Sequence, residues 1–194
     1  MFTDIDNIVN SIIGVHSGRG DAIFKREENL TMKNERSGRG QTSHKEFTVL
    51  VPVDFSPCSV QALRSARSIM GQRPARIVVI HVIDRDFVGR CIRHSLGTEE
   101  DIKKTLFLDA KTRLQNLLCK EGMDDAEKLI CEGTPFLEIN NQAVQCGADM
   151  IVMGTLGNSG DMKNIFFGST TEWVLRFIKR PVLCVPLDED HSLK

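Results

Sequence analysis

Met150-Ile151-Val152-Met153-Gly154-Thr155-Leu156-Gly157-Asn158-Ser159-Gly160, followed by Gly168-Ser169-Thr170-Thr171-Glu172-Trp173, is the stretch whose reading decides the fold. Its first four residues form an apolar run, as in a strand buried on both faces of a parallel sheet. Glycines follow at the strand's end, where a missing Cβ lets backbone approach a ligand closely. A helix then starts, and the unpaired N–H groups of a helix start attract anions. Ser169-Thr170-Thr171-Glu172 reads as a capping box with Ser169 as N-cap, the helix running through Val174, Leu175 and Ile178. Strand, glycine loop and helix together predict a phosphate cradle.

Upstream, the same alternation repeats. Phe47 to Val53 reads as a strand, and Ser56 and Pro57 as the N-cap and first residue of a helix. That helix has an apolar face of Val60, Leu63, Ala66 and Met70, and Gly71 ends it. Arg76 to Ile83 is a second strand. A longer connection leads to Thr98-Glu99-Glu100-Asp101, the acidic start of a helix lined by Leu106, Ala110, Leu114 and Leu117 or Leu118. Ala126 to Cys131 is a third strand. Thr134-Pro135 opens a helix with Ile139, Ala143 and Cys146 facing inward and Gly147 at its end. Met150 to Met153 and Pro181 to Pro186 are the fourth and fifth strands. This order, with apolar rather than alternating strands, predicts an α/β fold: a doubly wound, five-stranded parallel sheet with helices on both faces. Right-handed crossovers leave a crevice outside the strands' carboxyl ends. Asp54, Val82-Ile83, Gly133 and the Gly154 loop share that rim.

Bulk properties narrow the function. With 25 basic and 26 acidic residues the formal net charge is -1, so no overall field draws in nucleic acid or an anionic membrane. The chain starts with Asp4 and Asp6 rather than a basic leader, and no run approaches ~18 apolar residues. The six cysteines form no C-x-x-C pair and no metal-like spacing, which fits a reducing cytoplasm. Residues 1–45 carry two Ser-Gly-Arg-Gly tetrads and few large apolar groups, so a flexible extension is expected there. Ile5, Ile8, Val9 and Ile12 lie on one face of a short helix over 4–13, either docked on its own domain or open to a protein partner. A domain at 46–188 and a tail at 189–194 complete the chain. His81 reads as a packed or rim residue. No catalytic base is placed to attack a γ-phosphate, so any hydrolysis would be slow and incidental. No metal site of the protein's own is expected.

Leu50-Val51-Pro52-Val53-Asp54-Phe55-Ser56, His81-Val82, Gly133-Thr134-Pro135, Ala148 to Gly154, Gly168-Ser169-Thr170 and Arg180 to Pro186 together resemble the universal stress protein family, over Phe47 to about Leu187. The resemblance implies sheet order 3-2-1-4-5 and a homodimer, for which the outer edge of the fifth strand (181–186) is the expected contact. It also implies one of two modes of action: binding ATP with Mg2+, or working through protein contacts without nucleotide. ATP-binding members carry G-x2-G-x9-G-[ST]. This chain reads Gly154-x2-Gly157-x10-Gly168-Ser169, one residue longer, with Leu156 where basic or histidine side chains are frequent.

By resemblance, Pro52, Val53 and Val82 would flank adenine, with the Val82 backbone reading its edge. Asp54 would hold the ribose or sit by the phosphates, unless it only braces the turn. Gly133 would allow close approach at the third strand's end. Gly154 and Gly157 would turn N–H groups to the phosphates, and Gly168, Ser169 and Thr170 would grip the terminal ones. The Ser169 hydroxyl has an alternative use in the capping box. Lys163 is either a substitute basic contact or a solvated side chain. An adenylyl-transferring enzyme of the wider fold is disfavoured, because the H-I-G-H-like and S-G-G-x-D-S-like signatures are missing.

Overall fold

Apolar strand runs and capped helices alternate along the chain as they do in its sequence. The computed structural model describes residues 46–71, 74–157 and 167–187. The extension at 1–45 with its helix at 4–13, Gly160, Lys163 and the tail at 189–194 lie outside the described residues. Among the described residues, strands β1 (Phe47–Pro52), β2 (Ala75–Asp84), β3 (Glu127–Gly133), β4 (Met150–Gly154) and β5 (Val182–Val185) form one sheet. Helices α1 (Pro57–Met70), α2 (Arg85–Arg93), α3 (Glu99–Lys120), α4 (Pro135–Gln145) and α5 (Ser169–Arg176) connect them. Every pairing is parallel and the strand order is β3-β2-β1-β4-β5.

Successive strand side chains point to opposite faces, so a sheet covered on both faces needs apolar residues throughout. Val49, Val51 and Val79 pack with Ala62 and Leu63 of α1 and Leu114 and Leu118 of α3. Leu50, Val78 and Ile80 pack on the other side with Ile139 and Ala143 of α4 and Val174 of α5. A smaller cluster of Ile83, Val88, Cys91 and Ile102 pins α2 and α3 beyond the end of β2.

Several local expectations are corrected. The connection after β2 contains a helix, α2, capped by the Asp84 carboxylate on the Asp86 N–H (2.9 Å). The buried face of α1 takes in Cys58, Ser59 and Ala62 beside the expected Leu63 and Ala66; Met70 is half-buried against the same core, and Val60 is half-buried outside it. In α4, Asn140 joins Ile139 and Ala143 in the interior, and Cys146, at the C-cap, is half-buried against the same core. Ser169 does not cap α5. Gly168 occupies the cap with no side-chain hydrogen bond, and the helix stops at Arg176 with Ile178 51% exposed. Starting one residue early puts Ser169 inside the helix, and Glu172 turns to Arg176 instead (2.7 Å).

The turn after β1 is held from three sides. Asp54 Oδ1 accepts from the Ser56 N–H (3.0 Å) and the Ser56 hydroxyl (2.5 Å). Phe55 adopts φ 64, a left-handed conformation that costs on the order of 1–3 kcal/mol without glycine. Its ring lies 4.6 Å from His81, and the Arg113 guanidinium of α3 lies 4.1 Å from the ring centroid. Such aromatic and cation–π contacts contribute roughly 0.5–1.5 and 0.5–2 kcal/mol, enough to offset that strain. His81 Nδ1 sits 2.7 Å from the Val53 carbonyl oxygen, which only accepts, so Nδ1 carries the proton. Burial pushes the imidazole below its ordinary 6.5, the Val53 bond opposes this, and Arg113 reinforces it.

Two outcomes follow from this packing. Leu63 is fully buried, so Leu63→Ala should cost about 2–5 kcal/mol in urea unfolding at unchanged slope. For His81, the unfolded imidazole protonates before the folded one as pH falls. Its contribution is therefore complete above the unfolded value near 6.5 and shrinks as pH drops towards the folded value. The stability gap between the native chain and His81→Leu should narrow between pH 7.5 and 5.5; a constant gap would show that the ring is not held neutral.

Candidate functional site

A cavity of about 570 Å³ opens at the carboxyl ends of β1, β2 and β4, within the ~300–1,000 Å³ range of small-molecule sites. Pro52, Val53, Asp54, Val82, Gly154, Gly157, Gly168, Ser169 and Thr170 all line it. Gly133 does not. It pairs with Asp84 across β2 and β3, and the Glu138 side chain covers it: a Cβ there would meet Glu138 Cγ and Oε1 at 2.6 Å.

Strand geometry exposes peptide groups on the cavity wall. The Val53 N–H donates to the Ile80 carbonyl (2.8 Å), so Ile80 turns its peptide groups towards β1. Residues two apart in a strand address the same neighbour, so Val82 does likewise. The β1–β2 register ends at Pro52 opposite Ile80, so β1 has no residue left to meet Val82. The N–H and C=O of Val82 therefore face the space beyond the end of β1.

The β4 side is built by close approaches. Gly154 packs so tightly on α1 that a Cβ would lie 2.9 Å from both the backbone carbon and the Sγ of Cys58. A Cβ on Gly157 would lie 2.7 Å from Asp54 Oδ2, so the two rims of the cavity touch where that glycine sits. Asp54 thus braces its own turn through Oδ1 and meets the glycine loop through Oδ2.

The Gly168 N–H closes the loop onto the Thr155 carbonyl (2.7 Å) and is committed there. Thr171, nearly buried, donates its hydroxyl to the Gly154 carbonyl (3.0 Å) and ties the start of α5 to the end of β4. With no side-chain cap on α5, the first-turn N–H groups of Ser169 and Thr170 border the cavity without a capping acceptor.

Sequence reasoning did not single out Asp84, Pro135, Ile139, Met153 or Phe167 as lining residues. Met153 and Ile139 carried only the signal of inward-facing strand and helix positions. The side chains bordering the cavity include Asp54, Asp84, Glu172 and His81, but among the described residues no lysine or arginine. Among the described residues, attraction for an anion therefore rests on backbone dipoles. Among the described residues, no three His, Cys, Asp or Glu side chains are grouped to hold a metal ion, and no helix is long and apolar enough to cross a membrane.

Comparison with known proteins agrees with this architecture. Residues 47–186 match the model of the universal stress protein family. The chain is 30% identical over 153 residues to universal stress protein MJ0577 of Methanocaldococcus jannaschii, spanning 71% of this chain and 93% of that one. It is 29% identical over 140 residues to a universal stress protein of Thermus aquaticus, spanning 71% and 97%. The solved structure of MJ0577 superposes with a TM-score of 0.64 at 28% identity, covering 74% of this chain and 97% of that one. With its domain and sheet order matched in this way, the chain belongs to the universal stress protein family.

Proposed function

We propose that the protein is a regulatory nucleotide binder that takes ATP, together with Mg2+, into the cavity at the strand ends. The observation that carries this reading is the meeting of exposed Val82 peptide groups on one wall with the uncapped start of α5 on the other. Adenine lies between Pro52, Val53 and Val82, with the Val82 backbone along its edge. Asp54 serves the ribose or sits by the phosphates. The phosphates rest against Gly157, Ser169 and Thr170. An anion at a helix start gains ~0.3–1 kcal/mol, up to about 2 when partly buried. Several such contacts with an enclosed base are consistent with micromolar affinity, roughly -8 kcal/mol.

Mg2+ suits this cavity because no basic side chain among the described lining residues balances a polyphosphate. Such ions commonly arrive on phosphates and take one or two protein carboxylates, and Asp54 stands beside Gly157 for that purpose. Nucleotide occupancy acts on function by favouring one arrangement of the glycine loop over another, which requires different affinities for the two.

A second reading keeps the family's other mode: a dimeric protein-interaction module that needs no nucleotide. The absence of lysine and arginine among the described lining residues favours it, as does Leu156 in place of a basic or histidine side chain. In either reading we assign the homodimer contact to β5, which pairs with β4 on one edge only. An apolar edge left open invites aggregation, so pairing with a second copy protects it. The extension at 1–45 is a further candidate for protein contacts, and the cytoplasm is the compartment consistent with six free cysteines.

Calorimetry separates the two readings. Mg2+-ATP should bind at micromolar concentration and weaken about tenfold or more when the metal is chelated; absence of heat up to millimolar ligand would leave the interaction module standing. Gly157→Val drives a side chain into the position of Asp54 Oδ2, so ATP affinity should drop at least about tenfold, or ~1.4 kcal/mol, while the melting curve stays in place. Sedimentation at tens of micromolar should show a dimer, and a monomer there would remove the β5 contact.

A further inference from the structure

We propose that Asp84 selects the base: its carboxylate accepts the exocyclic amine of a 6-aminopurine, so the cavity discriminates adenine from 6-oxopurines. The assignment rests on the nucleotide reading above. The cavity is chemically polarised. Its β4 side offers the start of α5 and the glycine loop, whereas the β2 side is an apolar slot of Pro52, Ile80, Val82, Pro135 and Ile139. In the sheet order, β1 separates β2 from β4. Two inter-strand spacings of ~4.8 Å put the two sides about 10 Å apart, a distance a nucleoside spans.

At the slot end, two lining side chains carry hydrogen-bonding groups, His81 and Asp84. His81 is engaged through Nδ1 with the Val53 carbonyl and through its ring with Phe55. Asp84 is the acceptor that remains. Its Oδ1 holds the Asp86 N–H at 2.9 Å as the cap of α2, and a carboxylate has a second oxygen to offer. Gly133, its register partner on β3, is covered by the Glu138 side chain. Asp84 itself lines the cavity. Asp84 lies two residues beyond Val82 on the same strand face, where the edge of a base held by Val82 would extend. An amine there donates to the carboxylate. A 6-oxopurine instead sets a carbonyl oxygen against it, two acceptors with no proton between them, and hydrogen bonds to charged groups lose most when left unmade.

The test compares Mg2+-ATP with Mg2+-ITP, which differ in the 6-amino and 6-oxo groups, by calorimetry on the full chain. The variants are Asp84→Asn and Asp84→Ser, both of which keep a capping oxygen for α2. The native protein should prefer ATP by about tenfold or more, and in both variants the ratio should fall to about threefold or less at an unchanged melting temperature. The Val82 backbone also favours a 6-aminopurine, so the change in ratio, rather than the native preference, reads Asp84. Native and variant proteins with the same ATP-to-ITP ratio would overturn the assignment and leave the nucleotide reading intact. A native protein that binds neither nucleotide would overturn both.

Discussion

A proline opens the crevice. The Val53 N–H bonds to Ile80 and the Thr48 carbonyl accepts from Asp149, so odd-numbered residues of β1 address β2 and even-numbered ones address β4. Pro52 is therefore the residue whose N–H would have continued the ladder with β4, and proline has none. The β1–β4 register indeed spans only Val49 with Met150 and Leu50 with Ile151, although β4 runs on to Gly154. β1 and β4 are also the strands at which the winding of the sheet reverses, the place where α/β sheets leave a crevice. Topology permits the opening there; a missing donor enforces it.

Both banks of that opening are fixed independently. On the β1 side, the Asp54 carboxylate and the Phe55–His81–Arg113 stack hold a turn that its own backbone disfavours. On the β4 side, Gly154 is pressed against Cys58, and Thr171 and Gly168 fasten the start of α5 to the strand end. These contacts fix the Asp54 turn and the junction of β4 with α5 from within the protein. Pre-formed walls reduce the ordering cost of binding, which otherwise subtracts from every contact made.

Strand existence and type were legible because burial on both faces demands unbroken apolar runs, and Val78-Val79-Ile80 admits little else. Helix starts with a hydroxyl before a proline were legible as well, as at Ser56 and Thr134. What escaped was short and locally ambiguous. Helix α2 is strongly amphipathic, but it is short, buries only Val88 and Cys91 among its nine residues and carries three arginines and Gly89, so it has too little apolar content to stand out from a loop. Along α1 the expected Leu63, Ala66 and Met70 do pack on the core, whereas Cys58 and Ser59 escaped notice because a thiol and a hydroxyl carry little apolar signal. At α5, a glycine and a serine competed for one cap, and closing the Thr155–Gly168 contact settled it in favour of glycine. The family pattern pointed to most of the cavity's lining, but Asp84 lies outside that pattern and reached the rim only through the extra length of β2.

The spacing between Gly157 and Gly168 looked, in sequence, like the main objection to a nucleotide. Its energetic weight is small. The loop's ends are joined by the Gly168 N–H and the Thr155 carbonyl, so an added residue changes closure entropy by only ~0.1 kcal/mol, since the cost grows as (3/2)RT ln n. Charge weighs far more. Among the described lining residues Glu172 is paired with Arg176, but a polyphosphate brought near Asp54 meets repulsion of order 1 kcal/mol even at water-like screening. The helix start offsets about as much. A divalent cation reverses the sign of the Asp54 contribution altogether. On the nucleotide reading proposed above, the metal that accompanies the ligand therefore weighs more than the length of the glycine loop.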